Sequence, residues 1–271
     1  RYRITAICSV PQETVDECMA GFDVPFGTTD YKELVARDDV DVVCVFSPDH
    51  LHAEHYTAAL EAGKDVFQEK PMAIALEDCD AILRAWQTSG RKLMVGHKRR
   101  LRPPWTRMLE LTDDSLLGEV LAVTVCEYCD NRPYDFFDTW WADPALGGGF
   151  FHMHGVHVID WFRALCGNAA KVTALNGPQH DPRYKFRDTI HATFQFQSGA
   201  LATLDGGLTF PLHKFREPQG PWAECRHGGF KLVPLMDHID LYWQRLDEDE
   251  PHHERFDDLG FDHAYRTEIG D

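Results

Sequence analysis

The segment Val40-Asp-Val-Val-Cys-Val-Phe46 constrains the fold more than any other stretch of the chain. A near-continuous β-branched run of this kind is the pattern of a strand buried on both faces of a parallel sheet. A helical segment from His50 to Ala62 follows it, with Gly63 where a C-terminal cap belongs. The short strand Asp65 to Gln68, a helix from Leu76 to Ser89 stopped by Gly90, and the strand Lys92 to Val95 continue the rhythm. Ahead of them stand an apolar strand, Tyr2 to Cys8, and a helix from Pro11 to Ala20. Parallel neighbours need crossover connections of one hand, so this alternation predicts a parallel sheet with helices on both faces.

From Arg102 the rhythm changes. A helix around Trp105 to Leu111 leads to the alternating stretch Val120 to Tyr128, then to a polar aromatic loop from Asp130 to Trp141. The glycine run Gly147 to Gly149 precedes a helix-like segment reaching Leu165, and strands are expected at Lys171 to Leu175, Thr189 to Phe196 and Ala200 to Gly206. Ser198-Gly199 reads as a tight hairpin, since glycine supplies the positive φ that such turns require. Asp247 to Glu250 with His252 and His253 reads as a solvated acidic loop. The expected class is therefore α/β: a parallel-sheet domain over residues 1–101, then an α+β domain with a mainly antiparallel open sheet over residues 102–271.

Composition narrows the partners. A formal net charge of −17 argues against nucleic acid, whose binding needs a basic face to displace counterions. No apolar run approaches the roughly 20 residues that span a bilayer, so a soluble, cytoplasmic protein is expected. Eight cysteines are scattered singly, as reduced thiols are, and the one C-x-x-C pair, Cys126 and Cys129, sits in an extended stretch where positions three apart face opposite ways. The basic patch Lys98-Arg99-Arg100-Leu101-Arg102 runs against the average charge and requires a local explanation.

A parallel α/β sheet binds ligands at the carboxyl ends of its strands. Three such positions carry chemistry: Ser47-Pro-Asp-His-Leu-His52, Glu69-Lys70-Pro71 and Gly96-His-Lys-Arg-Arg100. Together with Ala62-Gly-Lys-Asp-Val-Phe-Gln-Glu-Lys-Pro71, Gly147-Gly-Gly149 and Gly155-Val-His-Val-Ile-Asp160, their order resembles the glucose-fructose oxidoreductase, inositol dehydrogenase and MocA family across essentially the whole chain.

The resemblance implies a Rossmann-type domain holding NAD or NADP, and a second domain whose open sheet mediates homo-oligomer contacts. It implies a dehydrogenase acting on the hydroxyl of a sugar, polyol or cyclic diol. Lys70 and His157 would be catalytic: the Lys70 ammonium would donate to the alcohol oxygen, and His157 would be its acid-base partner. On the cofactor side it implies Ser9, Ser47, Pro48, Asp49 and His52, with Glu69, Lys70 and Pro71. On the substrate side the candidates are Lys98 and Arg99 of the basic patch, Trp141 of the aromatic loop, and Met153, His154 and Asp160, with no metal expected.

Three departures from the family pattern stand out. No glycine-rich phosphate turn precedes Tyr2, and the chain stops at Asp271, so a fragment lacking both ends of a longer protein is expected. Ser9 stands where NAD-preferring relatives often carry an acid, which permits NADP without demanding it. Met153 stands where sugar dehydrogenases of the family commonly carry an aspartate, flanked by His152 and His154. Those histidines have three readings: interface residues beside a packed methionine, a repurposed polar site, or metal ligands. The loop Tyr134 to Trp141 reads either as a pocket wall or as core, and Arg99 with Arg100 either as anion contacts or as a salt-bridged turn. Two rival functions accompany these departures: a lyase or glycoside-cleaving enzyme that oxidises transiently or uses a metal, and a non-catalytic metabolite sensor or partner subunit.

Overall fold

The structure, a computed structural model, describes residues 2–132, 137–209, 220–235 and 238–257. The chain divides into two compact units between Gly96 and His97, which places the basic turn 98–101 with the second unit.

In the first unit β1 (Ile7–Cys8) pairs in parallel with β2 (Gly27–Thr28), and α1 (Gln12–Phe22) connects them. After α2 (Tyr31–Val35), the strands β3 (Val42–Val45), β4 (Asp65–Gln68) and β5 (Leu93–Val95) form a separate three-stranded parallel sheet in that order. Its crossovers are α3 (His52–Glu61), entered through a 3-10 turn at Asp49–Leu51, and α4 (Leu76–Ser89). Local chemistry sets the helix ends. Asp30 caps α2 by accepting from the Lys32 amide. Gly63 (φ 75°) closes α3: its amide donates to Leu60 and that of Lys64 to Ala59, the paired bonds of a Schellman stop.

Val43, Val45 and Val66 pack with Tyr56, Ala59 and Leu60 of α3 and Ile82 of α4 into one core. The expectation that the Val40–Phe46 strand is buried on both faces needs correcting. Burial alternates along β3, and Val42 (41% exposed) and Phe46 (65%) are open. The reason is topological: α3 and α4 cover the same face of the sheet, whereas α1 packs on the β1–β2 pair.

The second unit is built on an eight-stranded sheet. Its strands are β6 (Val120–Tyr128), β7 (Ala169–Asn176), β8 (Thr189–Phe196), β9 (Leu201–Gly207), β10 (Trp222–Cys225), β11 (Gly228–Pro234), β12 (Ile239–Arg245) and β13 (His252–Phe256). They lie in the order β13-β12-β11-β10-β6-β9-β8-β7, antiparallel except for β6 beside β9. The last four strands lie beyond those expected from sequence, and His252 and His253 open β13 rather than ending a solvated loop. Gly199 (φ 92°) makes the expected hairpin turn. α5 (Pro103–Leu111) begins on Pro103, which lacks only an amide that the first helical turn leaves unused. α6 (Pro144–Gly147) and α7 (Val156–Cys166) complete the unit, α7 following a π-helical turn at Phe151–Gly155.

One sheet face carries the core, in which Trp161 and Phe162 of α7 and Met108 of α5 meet Val123, Phe194, Leu204 and Phe230. Trp161 stands edge-on to Trp105, with centroids 4.9 Å apart. Two forked ion pairs tie the basic turn to this unit. Arg99 donates to both oxygens of Glu127 on β6 (2.9 and 2.6 Å) while its guanidinium lies over Trp105, and Arg100 grips Asp160 on α7. The local explanation of the patch is therefore a salt-bridged turn.

Burial presses the Glu127 carboxyl upward, but the charge and hydrogen bonds of Arg99 outweigh it and hold the carboxyl below its usual range. A depressed carboxylate stabilises the fold fully above its unfolded value, about 4.3, and that stability is lost as the pH falls through the lower folded value. Thermal unfolding is accordingly expected to show a loss of stability below about pH 4 to which this pair contributes. Glu127→Gln should be less stable near neutrality and lose less on acidification. In the first unit, Leu60→Ala should cost about 2–5 kcal/mol, read from the urea midpoint, because Leu60 is fully buried between the helices and the sheet.

Candidate active site

The turn after β4 is held from beneath by buried polar side chains. Gln68, the last strand residue, is fully buried, and its amide nitrogen donates to the Pro71 and Met72 carbonyls at 3.1 and 2.8 Å. On α3, the His52 ring Nδ1 lies 2.8 Å from the Pro71 carbonyl, and the Tyr56 hydroxyl donates to Glu69 O at 3.3 Å. From above, the Glu69 carboxylate accepts the Lys70 amide at 2.9 Å, while the Glu69 amide extends the ladder to Val45 O. Lys70, half-buried, is thus presented at the carboxyl end of β4 by a backbone whose carbonyls are bonded on both sides of it. Pro71 is buried and joined to Lys70 by a cis peptide.

The adjacent turn after β3 is tied to the same helix. His55 Nδ1 lies 2.9 Å from the Ser47 hydroxyl, and His52 Nε2 lies 2.9 Å from the Ser47 carbonyl. Pro48 introduces the 3-10 turn, which turns Asp49 inward to 5% exposure. Burial pushes the Asp49 carboxyl up to about 7; Lys70 opposes the rise and Glu69 adds to it. His52, expected among the cofactor contacts, has no exposed surface and meets the backbone of the two turns instead. At the end of β1, the Ser9 amide donates to Thr28 O at 3.2 Å. Ser9, Ser47, Glu69 and Lys70 stand at this carboxyl edge, each part-buried.

In the second unit, Gly148 and Gly149 take positive φ (68° and 81°), and the π-helical turn follows at once. Such a turn holds one more residue than an α turn and rotates whatever follows it. Met153, within this turn, packs into the core at 3% exposure. The neighbouring histidines diverge. His152 Nδ1 lies 2.8 Å from Gly148 O, while His154 stacks on Phe150 with its Nε2 3.7 Å from the Cys129 sulfur. Among the described residues no three His, Cys, Asp or Glu side chains converge in a way that could hold a metal ion. Burial, with Glu127 and Asp130 behind it, pushes the Cys129 thiol up to about 12, so it stands as a thiol at neutral pH.

His157 occupies the first turn of α7, half-buried. Arg99 and Asp160, expected on the substrate side, are each committed to an ion pair within the unit: Arg99 with Glu127, Asp160 with Arg100. Lys98 is half-buried in the same 3-10 turn. Trp141 packs half-buried against the core and tilts on Trp140 at 5.2 Å, and Tyr134, Asp135 and Phe136 lie outside the described residues. Sequence reasoning missed Tyr56, Gln68 and Glu127. Two of these carried a signal: Gln68 is a lone amide closing an apolar strand, and Tyr56 falls four residues after His52 on one helical face.

Among the described residues no helix is long and apolar enough to cross a membrane. Residues 1–97 match the family model described as oxidoreductase family, NAD-binding Rossmann fold, and residues 105–224 match that of the GFO/IDH/MocA C-terminal domain. A 4-carboxy-2-hydroxymuconate-6-semialdehyde dehydrogenase of Sphingobium sp. is 30% identical over 210 residues, covering 74% of this chain and 62% of the relative. An inositol 2-dehydrogenase/D-chiro-inositol 3-dehydrogenase of Halalkalibacterium halodurans is 28% identical over 245 residues, covering 88% of this chain and 66% of the relative. The chain thus spans less than two thirds of the length of these curated relatives. Among solved structures, an aldose-aldose oxidoreductase of Caulobacter crescentus complexed with glycerol superposes with a TM-score of 0.84 at 23% identity, covering 98% of this chain and 79% of that one. Two models of one family, matched in order over both halves, make the chain a member of the Gfo/Idh/MocA oxidoreductase family.

Proposed function

We propose that this chain carries out NAD- or NADP-dependent hydride transfer at the CH–OH group of a sugar, polyol or cyclic diol. The observation that carries the reading is Lys70, a half-buried ammonium held at the carboxyl end of a parallel strand by a turn bonded through Gln68, His52 and Tyr56. The Rossmann assignment of residues 1–97 and the polyol and sugar substrates named for the relatives support it.

The residues at the strand ends suit a nicotinamide nucleotide, since Ser47, Glu69 and Lys70 offer polar groups at the edge where such sheets bind ligands. The nicotinamide, when bound, supplies the hydride acceptor. Removing hydride from a carbinol requires its hydroxyl proton to leave as well. Lys70 would hold the alcohol oxygen through an N–H donor and steady its developing negative charge. A general base would take the proton. The homo-oligomer is carried into the proposal through the outer face of the second sheet, where Leu175, Leu201, Trp222 and Tyr242 are exposed, and the setting proposed is the cytoplasm.

The test is Lys70→Met in the full-length protein, assayed by nicotinamide absorbance against inositols and aldoses. Turnover is expected to fall by about 10²–10³-fold, the usual cost of removing an oxyanion donor. Cofactor affinity should change by no more than a few-fold. Unchanged turnover in the variant would overturn the assignment.

A further inference from the structure

His52 makes two contacts that a neutral imidazole cannot make together. Its Nδ1 lies 2.8 Å from Pro71 O and its Nε2 lies 2.9 Å from Ser47 O, and both partners are backbone carbonyls, which only accept. A neutral ring carries one N–H. Either tautomer would therefore hold a bare nitrogen lone pair against a carbonyl oxygen within 3 Å, in a site with no solvent exposure.

Only the doubly protonated ring supplies both donors. Burial, with Lys70 pulling the same way, brings the ring's pKa below the usual imidazole value despite the two carbonyls and Glu69, so the imidazolium rests on the two-carbonyl geometry and on the adjacent carboxylate. The buried Asp49 carboxyl, with Oδ1 3.8 Å from Nε2, supplies the counter-charge. The ring's other close neighbour, Tyr56, contributes only a tilted aromatic face. Asp49 and His52 can share a single proton, and the two carbonyls decide which of them holds it.

We infer that His52 is a positioning residue held as an imidazolium, with Asp49 as its counter-ion, and that this cation clamps the Ser47 turn to the Lys70 turn. It spans two crossovers: one nitrogen fixes the turn after β3 and the other the turn after β4. Loss of either the proton or the carboxylate would release one of them. The clamp rests on the proposed function only for its purpose, not for its chemistry, and it is tested without cofactor or substrate.

The experiment is nitrogen-detected NMR of the full-length protein with ring-labelled histidine near neutral pH, His52 being assigned by the signal lost in His52→Gln. Two imidazolium-type ring nitrogens are expected for His52. In Asp49→Asn the same ring should become a neutral tautomer, and amide exchange at Lys70 and Leu51, which lie in the two clamped turns, should accelerate by about tenfold or more at one of them. Neutral-tautomer shifts for His52 in the unaltered protein would overturn the inference. An imidazolium that survives in Asp49→Asn would remove Asp49 from it. Should His52→Gln fail to fold, His52→Asn supplies the missing signal that assigns the ring.

Discussion

The backbone carbonyls of Glu69, Pro71 and Met72, just beyond the end of β4, lie past the strand ladder, and the turn that carries Lys70 depends on how they are satisfied. A buried carbonyl left without a donor costs free energy comparable to a lost hydrogen bond. Here α3 and the last residue of β4 supply the donors: Gln68 to Pro71 and Met72, His52 to Pro71, and Tyr56 to Glu69. Because the same His52 ring reaches Ser47 O, the turns after β3 and β4 behave as one piece. The cost of burying these polar groups is offset only because nearly every donor is used, which makes the arrangement of Lys70 rigid and sensitive to single side chains.

In the second unit, charge does comparable work at the junction of turn and sheet. Arg99 and Arg100 would be costly to leave beside the hydrophobic core without partners, and each forks onto a carboxylate delivered by a different element, β6 or α7. Of the substrate-side candidates, Arg99 and Asp160 are held in these two ion pairs. The groups near the π-helical turn are left as an aromatic and histidine surface, with His157 on the first turn of α7.

Much of this was legible in the residues. The strands Asp65–Gln68, Val120–Tyr128 and Thr189–Phe196 and the helix Leu76–Ser89 lie where periodicity and glycine stops put them. The hairpin at Gly199 follows from a conformation that glycine adopts freely. The strands after Gly207 were not legible. Segments such as Trp222-Ala-Glu-Cys225 and His252-His-Glu-Arg-Phe256 are short and polar, and they become strands because a neighbouring strand offers a ladder. The burial of Met153 was likewise hidden: an α-helical projection of Phe151 to Asp160 omits the π-turn in which it sits.

The sequence by itself determined the family, the α/β class and the place of Lys70. Spacing along the chain records strand, turn and helix, and motif order survives without knowledge of packing. Only the tertiary structure decided what each candidate side chain is bonded to or packed against. Arg99, Asp160, Met153 and His52 look equally functional as letters, and they are separated by partners distant in sequence: Glu127, Arg100, the apolar core, and the carbonyls of Ser47 and Pro71. A side chain's chemistry is fixed by its type, but its role is set by what lies within about 3 Å of its polar atoms, and that neighbourhood is a property of the folded chain.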